Sequence, residues 1–407
     1  MTMARACVLA LVLAGHAAAQ NFTERGFLET GLSLFPKSAP NDSGHAVGLS
    51  LFRYEASYKA RSWLRFSGSF ESAFDTHQQV ERSLHLDWRD RSLQRPAFSL
   101  RDFKATLSKG RLTAEFGKQF IRWGKADILN PTDRFSPKDF LIVTAPDFLA
   151  VNAARITYAT ASDSVDLVWQ PFFTPSRTPL LNQRWAVFPD TLAGIPIRDQ
   201  GSAIPGRSSF GGRWNHIGAG YEFSASFYDG FNSLPAIGGF LDAGALNILR
   251  TYPALRLYGV DSAIPLRWFT IKTEAAYYTS PDMLQDEYVI YVFQLERQIR
   301  ELSIVGGYAG DAVTARSPSL QFSPERGFAR AFLTHVQYTI DSSRSIAADA
   351  VVRQNGAGSW LRGEYSQAFG QHWRFTAGIN WIRGDAGDFL GQYRRNSYAG
   401  ISLRYSF

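Results

Sequence analysis

Cysteine is nearly absent from this 407-residue chain. Cys7 is the only one, and it lies in the N-terminal stretch MTMARACVLALVLAGHAAAQ. Arg5 is the positive start of that stretch, residues 6–14 are an apolar run too short to span a bilayer, and Ala17-Ala18-Ala19 offers a small-residue cleavage site. The expected organisation is a signal peptide at 1–19 followed by a single domain over 20–407. A chain that starts near Gln20 has no thiol, which excludes disulfides, thiolate metal sites, cysteine nucleophiles and a lipid-modified cysteine. Long hydrophobic runs are missing too: after the leader nothing approaches the roughly 18 unbroken apolar residues of a spanning helix. No H-E-x-x-H, G-x-S-x-G, Walker loop or dinucleotide fingerprint occurs. His45, His77, His85, His216, His335 and His372 show no ligand spacing and no evident triad. No catalytic residue, metal or cofactor is expected, and the chain reads as a non-enzyme. Acidic residues are the minority sign, 36 against 43 Lys and Arg, so the net charge of +7 falls only to +6 when Arg5 is lost. In an exported chain that balance suits anionic lipopolysaccharide or anionic solutes, and it does not argue for nucleic acid.

What the chain does have is aromatic residues, 14 % of the total with 10 Trp and 31 Phe, set at alternate positions. Residues 371–384 read QHWRFTAGINWIRG. Trp373, Phe375, Ala377, Ile379 and Trp381 fall on one face of a strand, and Arg374, Thr376, Gly378 and Asn380 on the other. The two tryptophans are eight residues apart, about 26 Å at roughly 3.3 Å per residue. Tilted by about 40°, that covers ~20 Å of height, near the apolar band of a membrane barrel between its aromatic girdles. Residues 62–75, 219–229 and 345–353 alternate in the same way.

The breaks between such segments fall into two sets that take turns. Short ones lie near residues 60–61, 108–110, 161–163, 215–218, 262–265, 298–299, 341–344 and 370–371. The other set lies at 36–44, 76–96, 122–146, 174–206, 230–244, near Pro281, at 310–326, near Gly356 and at 384–395, and all but two of these are long. Eight short turns and nine outer loops give 18 strands, with 16 as the nearest other count. Strand 1 falls near 27–35 and strand 18 near 396–407. The expected fold is all-β: a transmembrane antiparallel barrel with short periplasmic turns and long extracellular loops. Residues 98–107 and 244–261 alternate poorly.

The chain ends YAGISLRYSF, with Ile401, Leu403, Tyr405 and Phe407 on one face. This resembles the last strand of Gram-negative outer-membrane barrels, although Ser402 stands where glycine is usual. The resemblance implies an outer-membrane location and recognition of the strand ending at Phe407 by the barrel assembly machinery. A second resemblance is to a poorly characterised group of outer-membrane porin-like proteins. It is carried by Gly117-Lys118-Gln119, Trp123-Gly124, Asp127, Asn130-Pro131 and Asp133, and by PFFTPSRTPLLNQRW at 171–185. It implies a third outer loop that folds into the barrel and narrows it, with Trp123, Asp127, Asn130, Asp133 and Asp139 as its marked residues. The alternative is that these aspartates cap turns and pair with Arg122, Lys125, Arg134 and Lys138. Residues 125–129 suit a short helical turn. In the fourth loop, Arg177, Arg184, Trp185 and Arg198 either cover the mouth or pack against neighbouring loops.

The parity opposite to the apolar one should face the pore. It holds Arg65, Arg155, Arg213, Arg256, Arg353, Arg362, Arg374 and Arg404, with Glu71, Glu222, Asp349 and Glu364. Either these charges pair into a network that stiffens the wall, or unpaired arginines favour anions. The expected function is a channel for small, anionic solutes with an arginine-lined lumen constricted by the third outer loop. The alternative is a transporter or export partner for a hydrophobic or polymeric substrate. Expected partners are outer-membrane lipid and lipopolysaccharide, the assembly machinery and small-molecule solutes. A homo-oligomer is compatible with the sequence.

Overall fold

A computed structural model describes residues 21–187, 195–282 and 284–407. The expected leader at 1–19 lies outside the described residues. Eighteen strands run antiparallel around one barrel. They are β1 (Phe22–Leu34), β2 (Ala46–Arg61), β3 (Leu64–Asp75), β4 (Phe98–Lys109), β5 (Leu112–Gln119) and β6 (Val151–Ala159). Next come β7 (Asp163–Gln170), β8 (Ser209–Gly218), β9 (Tyr221–Phe231), β10 (Ala254–Pro265), β11 (Thr270–Thr279) and β12 (Glu287–Ile299). The last six are β13 (Leu302–Ala315), β14 (Ala331–Thr339), β15 (Arg344–Arg353), β16 (Gly358–Phe369), β17 (Trp373–Gly384) and β18 (Tyr398–Ser406). A further two-residue piece, Leu86–Asp87, pairs with β4 from outer loop 2. Each strand pairs with the next in the chain, and β1 pairs with β18 from Phe27–Ser406 to Leu34–Ala399, which closes the ring. Gly26 and Phe407 exchange two backbone hydrogen bonds, at 2.9 and 3.0 Å, and seal the last rung.

The connections sort by side as the turn chemistry requires. Those between β2 and β3, β4 and β5, and so on to β16 and β17 span two to four residues. Gly110, Gly220 and Gly370 take positive φ in three of them, where a side chain would be strained. The nine connections on the other side are the outer loops, numbered 1 to 9 here.

Outward side chains form an apolar belt with nothing packed on it. Trp373, Ile379 and Trp381 of β17 are each about half exposed (46, 54 and 45 %), and Ile401 and Leu403 of β18 match them. A belt of this extent around a closed sheet has hydrocarbon as its solvent. Tryptophan sits at each end of the β17 row because its ring is apolar while its N–H seeks a wet interface.

The two poorly alternating segments have physical causes. Residues Ala245–Thr251 are not barrel wall: they pair with Ala236–Asp242 as a hairpin within outer loop 5. That hairpin joins Ile197–Ala203 of loop 4 and Leu320–Gln321 of loop 7 in a four-stranded sheet outside the barrel. Further on, Leu255 and Leu257 are apolar on the inward face because loop 3 covers them. A strand buried on both faces reads as continuous apolar sequence. In β4, the register shifts between Ser69 and Phe70 of the neighbouring β3, which leaves Arg101 as an extra residue and inverts the alternation.

Ile379 lies at mid-height of β17, so Ile379→Arg should cost about 2–4 kcal/mol of barrel stability. Urea unfolding of protein refolded into vesicles would measure it, and an unchanged midpoint would mean that this row does not face lipid.

Candidate functional site

The inner wall carries a belt of ion pairs, made along one strand, between strands or between the wall and a loop. Arg404 on β18 pairs with Glu29 on β1 and lies over the Phe27 ring at 4.1 Å. Arg53 on β2 donates to Glu71 on β3 at 2.6 Å, and Arg101 reaches Glu71 at 3.3 Å and Asp147 at 2.9 Å. Lys104, Glu115, Arg155 and Asp166 continue the belt across β4 to β7, with Arg155 2.6 Å from Asp166. Arg213 meets Asp261 at 3.0 Å, Lys272 meets Glu296 at 2.8 Å, His335 meets Asp349 at 2.7 Å and Arg362 meets Glu364 at 2.6 Å. Glu222 accepts from Lys125 at 3.2 Å. Arg353 binds Asp388 at 3.0 Å and also donates to the carbonyl oxygens of Gly327 and Ala329. Among the described residues no carboxylate pairs with Arg65 or Arg374. Arg374 donates to Ser366 Oγ at 3.1 Å.

Arg256 stands apart from the rest. It shares parity with Tyr258 and Val260, both exposed on the outer surface, while Leu255, Leu257 and Asp261 are buried on the opposite face. The expectation that it lines the pore is corrected: it sits outside, 2.8 Å from Asp229 near the outer rim. The cause is the apolar inner face of β10, which makes the strand's two sides indistinguishable by hydropathy.

Outer loop 3, residues 120–150, leaves β5 and binds the inner face of β11, several strands around the wall. Glu274 is the anchor. Its carboxylate accepts from the backbone N–H groups of Lys125 (3.0 Å), Ala126 (3.1 Å) and Thr132 (2.8 Å) and from Thr132 Oγ1 (2.8 Å). Gly124 makes the approach feasible: its φ is +96°, and a Cβ there would stand 2.6 Å from the Glu274 carboxylate. The expected helical turn at 125–129 does not form; the amides of Lys125 and Ala126 go to Glu274 and that of Asp127 to Gln294 Oε1 at 3.0 Å. Asn130 instead ties back to the Ala126 carbonyl. Under the loop, Trp123 and Phe135 make an edge-to-face contact at 5.1 Å and join Leu257, Tyr278 and Ile290 in an apolar core inside the barrel.

The three loop aspartates have different surroundings. Asp127 remains half exposed, 2.9 Å from Lys272. Asp133 is buried 3.1 Å from Arg122, and its Oδ1 has no hydrogen-bond partner. Burial pushes its carboxyl up to about 6 in spite of Arg122 and Lys138. Asp139 is buried between Arg95 (2.9 Å) and Arg177 (3.2 Å). Although burial opposes it, those two guanidinium groups hold the Asp139 carboxyl below its ordinary value. Two arginines of loop 4 likewise pack, while Arg198 is exposed: Arg177 also meets Asp90 at 2.8 Å, and Arg184 lies over Phe35 at 3.7 Å and pairs with Asp42 at 3.3 Å. Trp185 packs on Tyr393 of loop 9.

Sequence inspection missed two elements. One is Glu274, whose partners are backbone amides more than 140 residues away. The other is a single helical turn in loop 7, Pro324–Gly327. Glu325 of this turn binds Arg134 and, at 3.0 Å, Lys138 of loop 3. Arg326 beside it binds Asp286 at 2.7 Å. Two cavities meet at the turn. One, of about 590 Å³, has Asp127, Glu325, Asp349 and Arg362 in its walls. The other, of about 760 Å³, lies among loops 4, 5, 7 and 9 and includes Arg326.

No protein-family model matches the chain, and no curated protein matches it in sequence. Solved structures do match in fold. A BenF-like porin from Pseudomonas fluorescens Pf-5 superposes with a TM-score of 0.55 at 8 % identity, covering 95 % of this chain and 98 % of that one. The fold is that of the outer-membrane porins. Less close are a mutant of the Rh. blastica porin (TM-score 0.44, 10 % identity, 95 % and 100 % covered) and a loop L8 deletion mutant of OmpT, an outer membrane protein of Vibrio cholerae (0.43, 12 %, 95 % and 99 %). A porin barrel of this kind resides in the outer membrane of a Gram-negative cell, where its outer loops face the exterior.

Glu274→Ala should free loop 3, because it strands buried N–H groups at about 1–3 kcal/mol each. Limited proteolysis should then cut within 120–150 in the variant and spare that segment in the parent; equal resistance would refute the anchor. Asp133 supplies a pH test. Its folded pKa is raised, so its contribution to stability is complete below about 3.9 and is lost as pH rises through about 6. Asp133→Asn should therefore gain on the parent by about 1–3 kcal/mol between pH 4 and pH 7.5 in thermal unfolding. A gap that does not change with pH would contradict the assignment.

Proposed function

We propose that this chain is a channel for small solutes, narrowed by outer loop 3 and favouring anions. The observation that carries the proposal is the attachment of the loop to Glu274 on the far wall. A loop fixed there leaves a passage of limited width, where an open barrel of 18 strands would hold a wide aqueous lumen. Asp127, with Lys272 beside it, is the loop carboxylate proposed to meet the solute; Trp123, Asn130, Asp133 and Asp139 shape the loop from within. Arg155, Arg213, Arg353, Arg362 and Arg404, together with Glu71, Glu222, Asp349 and Glu364, form the proposed pore wall. Because all but Asp349, whose near partner is the His335 imidazole, have an opposite charge close by, they supply polarity more than net field. Preference for anions is assigned to Arg65 and Arg374, the pore-facing arginines without a carboxylate partner. Both lie one residue inside the short-turn end of their strands, and Arg65 stands opposite Lys59.

A hydrophobic cargo is the second proposal, and the apolar side of the outer cavity supports it. Lipopolysaccharide at the outer rim, the assembly machinery at the strand ending in Phe407, and further copies of the chain complete the proposed partners.

Planar bilayers test the main proposal. The purified protein should conduct and should prefer chloride over potassium in a salt gradient. Arg65→Glu combined with Arg374→Glu should move the reversal potential toward that of potassium. An unmoved potential removes the role given to these arginines, and an absence of conductance removes the channel.

A further inference from the structure

We propose that the outer cavity is a recognition site for amphipathic monoanions, molecules with a compact apolar body and one carboxylate. Its place in transport rests on the channel proposed above, but its chemistry rests on the cavity alone. At about 760 Å³ the space falls in the range of small-molecule sites. Leu246 and Ile248 from the loop 5 hairpin, Phe322 from loop 7, and Phe389 and Tyr393 from loop 9 give it an apolar side. The loop 4–5–7 sheet and the Phe389–Tyr393 contact at 5.5 Å fix that side in place. Water against such a surface is displaced at a gain by an apolar body.

The charges decide what the other end of the ligand must be. The wall has five arginines and two aspartates, Asp286 and Asp311. Four of the arginines are already neutralised by near carboxylates. Arg250 has Asp199 at 2.6 Å, Arg326 has Asp286 at 2.7 Å, Arg330 has Asp311 at 2.6 Å and Arg353 has Asp388 at 3.0 Å. Arg316, at the base of loop 7, has no hydrogen-bond or ion-pair partner among the described residues. Five guanidinium groups against four carboxylates leave one positive charge, and it belongs to Arg316. A single ligand carboxylate completes the set through a charge-assisted hydrogen bond. A second carboxylate would have no cation left and would face Asp286 and Asp311. An ammonium group would meet Arg316 as a like charge.

Calorimetric titration of the full-length protein in detergent tests this without requiring conductance. The probes are 3-phenylpropionate, 3-phenylpropionamide and 3-phenylpropylamine. The acid should bind about fivefold to tenfold more tightly than the amide, the ratio of one charge-assisted contact in a partly wet site, and the amine should bind least. Arg316→Gln should erase the difference between acid and amide while leaving amide binding intact, and Arg316→Lys should restore part of it. Equal binding of acid and amide by the parent protein overturns the proposal, as does no binding of either, or a preference that survives Arg316→Gln. Binding as expected in a protein that fails to conduct would count against the channel and leave the site standing.

Discussion

Every feature of this molecule depends on one requirement: in hydrocarbon each backbone N–H and C=O must find a partner within the protein. An open sheet leaves two unpaired edges. Here the edges are β1 and β18, and their ladder from Phe27–Ser406 to Leu34–Ala399 removes both. Closure fixes which side of each strand is inside, and period two then divides the side chains without exception for local preference. Ile379 goes to lipid because Asn380 goes inward, where its side chain meets Trp360 Nε1 at 2.8 Å. Phe407 is held by the same rung that completes the ring.

The inside of the cylinder raises a second requirement, and the chain meets it in two ways. Toward the short-turn side the inner face is polar, and charges on adjacent strands neutralise one another across the ladder. Toward the loops the inner face of β10 to β14 is apolar and would be wet in an empty barrel. Loop 3 covers it with Ile121, Trp123, Leu129 and Phe135. Burying side chains of this size contributes about 1.5–3 kcal/mol each, but that force has no direction. Direction comes from Glu274, whose four hydrogen bonds define where the loop must lie. Apolar contact thus keeps the loop inside, and one carboxylate sets its position. The turn Pro324–Gly327 is positioned by the same logic, with Glu325 tied to loop 3 and Arg326 tied to the rim.

The strand count, the sorting of turns from loops and the outward rows were legible in the sequence because period two survives translation into any barrel. Inward parity was legible for Arg155, Arg213, Arg353, Arg362 and Arg404 for the same reason. It failed at Arg256, where lipid outside and loop 3 inside are both apolar and hydropathy has no contrast to report. It was also blind to the loops' own sheet, because Ala245–Thr251 has strand chemistry without belonging to the wall. The aspartates of loop 3 were recognisable as special, but not their separate surroundings. Asp139 is met by Arg95 and Arg177 from two other loops, not by neighbouring Lys138, and such pairings depend on tertiary placement. Glu274 sits on an ordinary alternating strand and could not have been singled out by any local pattern.

The pairing of the inner wall has a consequence for selectivity. Two opposite unit charges about 3 Å apart act at a distance as a dipole, and their field falls away faster than that of either alone. Salt screens what is left over about 8–10 Å. A belt such as Arg404–Glu29, Arg155–Asp166 and Arg213–Asp261 therefore offers solutes hydrogen bonds without a strong preference of sign. Net preference must come from sites where the pairing stops. On the proposed reading those sites are Arg65 and Arg374 at the inner end of the barrel and Arg316 at the outer one. Between them, Lys272 lies within 3 Å of both Asp127 and Glu296. In the channel proposed above, positive charge at the ends would draw anions in, and Lys272, already shared between Asp127 and Glu296, would not hold them, which is the condition for passage rather than capture.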